Sequence, residues 1–205
     1  MSKEVFQMLQ SISHPQLEIQ LILQCAPLLA GLKISNLLIT RKEYEEDVLE
    51  IFADTGIAVY KLYENEEKMT LFLYQEENFS DYMISEKARH FLHWMGYEPD
   101  KPEKIVEHFA SRYRHYMQGG RDFPHEMGLL LGYPTADVYG FVIHRGKNFL
   151  YSGYWKVYDD LPETLERFQA FDRAKEKMIR MVSAGAGIRQ ILRMNHYRID
   201  QETAI

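Results

Sequence analysis

The spacing of apolar residues along the chain predicts helices interleaved with short strands. Ser13-His14-Pro15-Gln16 reads as a helix start, with Ser13 as cap and Gln16 three residues on. The helix that follows is apolar nearly all round (Leu17, Ile19, Leu21, Ile22, Leu23, Cys25), which predicts burial. Pro27 has no N–H to donate, so the helix is expected to end or kink beside Cys25. Gly31 then turns the chain into a short strand over 36–40. A second helix is predicted over 43–55, with Tyr44, Val48, Ile51, Phe52 and Thr55 inward and Gly56 as its stop. Two β-rich runs, 57–63 and 69–74, flank a polar stretch and read as a hairpin.

A third helix is expected over 80–95, with Ile84, Ala88, Phe91, Leu92 and Met95 inward. Asp100-Lys101-Pro102-Glu103 opens another, which runs to Gly119-Gly120. Two short helices, 124–131 and 134–143, should hinge at Gly132, and 151–158 reads as a strand. Asp160-Leu161-Pro162-Glu163 opens a long final helix on Leu165, Phe168, Phe171 and Met178, fraying at Gly185 and Gly187. With the inserted helices set aside, the order is the ferredoxin-like β-α-β-β-α-β. The predicted class is α+β: a small, mostly antiparallel sheet packed by several helices. We expect one domain over 1–187 and a mobile basic tail over 188–205.

Composition narrows the function. The chain has 205 residues, 46% of them hydrophobic, enough for a core without disulfide or metal staples. Its net charge of −6 gives the molecule as a whole no attraction for nucleic acid or an anionic membrane. Cys25 is the single cysteine, so there is no internal disulfide and no paired-thiol motif. The longest apolar stretch, 21–32, is broken by Gln24 and Pro27 and falls short of the ~20 residues that span a bilayer. A cytoplasmic location is the expectation.

Three runs stand out: CAPLLAGLK from Cys25 to Lys33, FPHEMGLLLGYPTADVYGF from Phe123 to Phe141, and GYWKVY from Gly153 to Tyr158. Together they resemble the domain-of-unknown-function family 3793, met mostly in anaerobic Firmicutes, over roughly 15–180. The resemblance implies no particular activity. It does imply that relatives commonly carry a cysteine in the last helix, where this chain has Ala174, a departure that weighs against two-thiol chemistry.

Candidate chemistry centres on those runs. His125-Glu126 lacks the second histidine of an H-E-x-x-H zinc helix, since position 129 is leucine. The pair remains a candidate catalytic site: a helix N-terminus favours an anionic glutamate and a neutral imidazole. The plainer account makes Glu126 a helix stabiliser and His125 structural. Cys25 is a third catalytic candidate, opposed by its apolar helix and its place near a helix C-terminus. Strand alternation would put Tyr154, Lys156 and Tyr158 on one face, able to hold an anion by charge and ring contacts. Lys33, Tyr133 and Asp137 complete the ligand-binding candidates.

No metal set is assigned and the cofactor is unknown; no P-loop, dinucleotide fingerprint or nucleophile elbow occurs. Three readings stay open. The first is a small-molecule pocket near Phe123–Phe141 for an anionic ligand, with or without catalysis. The second is a non-catalytic module whose basic C-terminal end (Arg173, Lys175, Lys177, Arg180, Arg189, Arg193, Arg198) docks an acidic protein. The third is a haem- or metal-handling protein using scattered histidine and methionine ligands.

Overall fold

The computed structural model describes residues 16–98 and 101–194. The helix caps expected at Ser13 and Asp100 lie outside them. The elements are α1 (Gln16–Leu29), β1 (Ser35–Arg41), α2 (Glu45–Phe52), β2 (Ile57–Glu64), β3 (Lys68–Gln75), α3 (Glu76–Ile84), α4 (Glu86–Trp94), α5 (Pro102–Met117), α6 (Met127–Leu130), α7 (Thr135–Ile143), β4 (Tyr151–Ser152), β5 (Lys156–Val157) and α8 (Leu161–Ser183). The class is α+β, with an antiparallel three-stranded sheet in the order β1-β3-β2 and a separate two-stranded β4-β5 hairpin. Among the described residues no helix is long and apolar enough to cross a membrane.

Strand alternation splits the core in two. Leu38, Met69, Leu71 and Leu73 point to one face of the sheet and pack with α1, α2 and α8. Leu62 and Phe72 point to the other, where α3, α4, α5 and α6 supply Phe79, Phe91, Phe109 and Leu129. Leu62 follows Tyr60 onto that face by alternation, and a shift of register between Lys61 and Tyr63 brings Tyr63 to it as well.

Four expectations need correction. Pro27 lies inside α1 and does not end it; in the last turn it forfeits one hydrogen bond, toward Leu23, an exposed residue. The single helix over 80–95 is two, because Ser85 leaves helical geometry and caps α4 by accepting from the Ala88 amide. Of the expected tail, residues 188–194 pack on the domain, and 195–205 lie outside the described residues. Residues 188–194 are helical, with Ile188, Ile191 and Leu192 in the first core and Arg189 paired with Glu50.

The fourth correction is the largest. Residues 151–158 form a hairpin and not a fourth strand of the sheet, which keeps the first three strands of the ferredoxin-like order and stops there. The edge of β1 where a fourth strand would pair is occupied by side chains of α1. The Gln24 amide accepts from Ile39 N (2.9 Å) and donates to Ile39 O (3.0 Å), imitating a neighbouring strand. Asn36 donates back to the Gln24 carbonyl at 2.8 Å.

The hairpin sits instead between α7 and α8. Gly140 on α7 makes room for it, since a Cβ there would lie 2.4 Å from the Tyr158 ring; Gly153 does the same against Phe168. Trp155 and Val157 join Phe168 and Phe171 in a third, smaller core.

If Gln24 closes the β1 edge, Gln24→Ala should cost about 1–2 kcal/mol, because two backbone groups lose their partner. The exposed contact of Gln16 with Arg41 should be worth less than about 0.5 kcal/mol when Gln16 becomes Ala. Urea unfolding of the two variants measures the difference; equal losses would contradict this account of the edge.

Candidate functional site

The run from Phe123 to Phe141 folds as a loop, α6, a corner at Gly132 (φ +72°) and α7. Two long-range bonds fix it. Ser35 on β1 donates to the Leu130 carbonyl, and the Tyr82 hydroxyl on α3 donates to the Tyr133 carbonyl at 3.3 Å. The run is therefore pinned to the sheet and to α3 before any side chain of the site is considered.

A cavity of about 250 Å³ lies between this run and the hairpin. Its walls are the rings of Phe123, Tyr133, Phe141 and Trp155, with Met127 and Val138 filling between them. Tyr133 and Trp155 stack at 4.8 Å. Ser152 and Gly153 form an exposed rim. The polar groups are few: His125, Asp137 and Lys156.

His125 lies between two aromatic rings, 5.3 Å from Phe123 and 5.9 Å from Phe141. Its Nδ1 is buried and makes no hydrogen bond. Burial pushes the imidazole below its ordinary value, with a smaller contribution from the Arg112 cation and an opposing one from Glu126. Burial thus favours the neutral ring, and one nitrogen is left unsatisfied beside an apolar cavity.

Lys156 donates from Nζ to the Gly146 carbonyl at 2.7 Å, with the ring of Phe149 at 4.9 Å and that of Phe141 at 5.7 Å. It has no ion-pair partner among the described residues. An ammonium has three donor positions, so two remain for a ligand.

Asp137 lines the same cavity with both carboxylate oxygens bonded within the protein. Its Oδ1 accepts from the amides of Tyr158 (2.7 Å) and Asp159 (3.0 Å), and its Oδ2 from Trp155 Nε1 (2.7 Å). These are the bonds that tie the hairpin to α7, and they make Asp137 a scaffold residue.

The remaining candidates lie elsewhere. Tyr154 does not share a face with Lys156, because the chain reverses at 153–155. Its hydroxyl donates to Asp172 on α8 at 2.9 Å. Tyr158 packs against Gly140 and stacks on His144 outside the cavity lining. Lys33 lies over the Tyr133 ring at 5.2 Å and donates to Asn36; burial lowers it to about 8. Cys25, near the same Asn36, is fully buried, and its thiol is pushed up to about 12 by desolvation. It sits far outside the nucleophile range and off the cavity. Among the described residues no three His, Cys, Asp or Glu side chains converge as a metal site.

Glu126 lies next to the cavity residues in sequence but points into the second core. It is fully buried and makes no capping bond to α6. Its Oε1 accepts from the Tyr97 hydroxyl (2.7 Å) and from Arg112 Nε (2.6 Å). Neither partner stood out in the sequence; an arginine facing inward on the otherwise apolar stripe of α5 was the available signal. Tyr97 in turn stacks on His108 at 4.3 Å. Glu126 thus anchors the backbone from which His125 projects.

Removing Arg112 leaves a buried carboxylate without its counter-charge, which typically costs about 3–5 kcal/mol. Arg112→Ala should be destabilised by about that much at pH 7. Urea denaturation at pH 7 measures it; a loss no larger than the ~0–1 kcal/mol of an exposed ion pair would contradict the assignment.

No curated protein and no solved structure matches the chain. The family model described as a protein of unknown function, DUF3793, matches residues 21–192, which takes in the sheet, the cavity and the start of the last helical segment. The chain belongs to that family.

Proposed function

We propose that the cavity between α7 and the β4-β5 hairpin binds a small organic anion with an apolar body. The carrying observation is Lys156, a cation on an aromatic-walled cavity with no ion-pair partner among the described residues, sharing that cavity with His125, whose Nδ1 is buried and unpartnered. Buried polar groups are almost always hydrogen-bonded; Glu126 Oε2 and the Tyr158 hydroxyl are also without a partner, but His125 is the one of the three that lines the cavity. The volume is just below the ~300–1,000 Å³ of drug-sized pockets, which favours a compact ligand.

In this reading the rings of Phe123, Phe141 and Trp155 hold the apolar body. Lys156 takes the charged end, and His125 bonds a polar atom. Asp137 serves the scaffold, both of its carboxylate oxygens being bonded to the hairpin segment. A neutral imidazole beside a bound anion is also able to take up a proton, so acid–base chemistry would fall to His125. A cytoplasmic setting suits a protein whose single thiol is buried.

Trp155 supplies the test. The chain has two tryptophans, and Trp94 lies outside the cavity lining, so a Trp94→Phe protein reports on the site by fluorescence. Titration with benzoate and phenylacetate should quench it, and their uncharged amides should bind about 10–100-fold more weakly, as expected for loss of a charge-assisted bond. Lys156→Met should erase that preference. His125→Ala should weaken both series while shifting the melting temperature by only a degree or two, because the ring leaves no hydrogen-bond partner stranded. Quenching by no member of the panel, or a carboxylate preference that survives Lys156→Met, would refute the proposal.

A further inference from the structure

Residues 138–158 contain no aspartate or glutamate, in a chain that carries 30 of them and a net charge of −6. The same stretch holds Arg145, Lys147 and Lys156. Asp137, just before it, is buried; just after it, the exposed Asp159 accepts from the Asp160 amide and Asp160 caps α8 by accepting from the Glu163 amide.

This acid-free stretch also exposes large apolar side chains. Ile143 at the end of α7 is 69% exposed, and Phe149, Leu150 and Tyr151 are 41%, 59% and 45% exposed. Ile143 lies one turn beyond Tyr139 on α7, on the same helix face. Trp94, itself 55% exposed, packs on Tyr139 at 5.6 Å. Four such residues bare along one run, with Trp94 of α4 beside its start, are unusual in a folded chain, and clusters of this kind mark interaction sites.

The loop that carries them is held in one shape. Arg145, Gly146 and Asn148 all adopt positive φ. The Gly146 amide donates to the Phe141 carbonyl at 2.8 Å, the Lys147 amide donates to the His144 carbonyl at 2.9 Å, and Lys156 holds the Gly146 carbonyl. Arg145 and Lys147 are exposed on either side of the turn.

We infer that this surface docks on an anionic lipid headgroup layer, with the exposed apolar side chains entering the interface and Arg145 and Lys147 meeting the phosphates. The charge pattern selects that partner. A protein face carries both signs and is matched by both signs, whereas depletion of acids along a whole stretch suits a surface of uniform negative charge. Tryptophan, tyrosine and phenylalanine are the residues that settle at a membrane–water boundary. The overall charge of the molecule opposes such contact, so the attraction is local, of short range and sensitive to salt. The inference does not depend on what the cavity binds.

Sedimentation of the full chain with vesicles tests it. The protein should co-sediment with phosphatidylcholine vesicles that include phosphatidylserine, bind far less to phosphatidylcholine alone, and release as salt is raised. Arg145→Gln with Lys147→Gln should weaken binding about 25-fold, five-fold for each cation. Ile143→Ser with Leu150→Ser should weaken it while leaving the charge unchanged. All four positions are exposed, and an unchanged melting temperature confirms that the variants fold. Absence of binding to the anionic vesicles at low salt overturns the inference, even if the same loop is found to bind an acidic protein. So does binding that both pairs of substitutions leave intact.

Discussion

The site depends on one buried carboxylate. Asp137 accepts from two consecutive backbone amides and from an indole, and these three bonds hold a hairpin that has no other sheet to join. Without them, Trp155 would keep only its ring contacts with Tyr133, Phe168 and Phe171, and the segment that carries Lys156 would lose its polar tie to α7. A carboxylate bonded by several donors is a strong local constraint, and a costly one to leave unsatisfied. The close approach of the hairpin to α7 and α8 needs the missing side chains of Gly140 and Gly153. The hairpin is thus a docked element, and the cavity is the space left along its seam.

A second buried carboxylate works on the other side of His125. Glu126, held by Arg112 and Tyr97, ties the loop before α6 into the second core. Two adjacent residues therefore have opposite roles. The glutamate is paired by a cation in the second core through Oε1 alone; the histidine projects toward the cavity with Nδ1 unpartnered. That division is set by direction, since successive residues at a helix start point well apart.

Much of the fold was legible in the sequence because its signals are local. Gly56, the polar stretch between 64 and 68, and the alternation of Leu38, Leu71 and Leu73 need only the chain's own periodicity. The hairpin at 151–158 was harder, because its β-rich residues give the same local preference to one strand as to two. Gly153 marked the reversal, but the reason for it is a bond to Asp137, far away in the chain. The blocked edge of β1 was equally hidden, since a glutamine on an apolar helix gives no sign that its amide will imitate a strand. His125, Tyr133 and Lys156 could be picked out because they lie in or beside unusual runs. Phe123 and Phe141 bracket the longest run, yet their meeting across a cavity is a property of the folded chain, as is the capture of Arg112 by Glu126.

The account turns on whether Asp137 assembles the hairpin, and amide hydrogen exchange reads this directly. The amides of Tyr158 and Asp159 lie outside the three-stranded sheet and should nevertheless exchange slowly, because both donate to Asp137. In Asp137→Ala they should exchange at nearly unprotected rates, together with the 151–157 hairpin, while β3 amides such as Leu71 stay protected. Fast exchange at Tyr158 and Asp159 in the parent protein, or protection that survives the substitution, would contradict it.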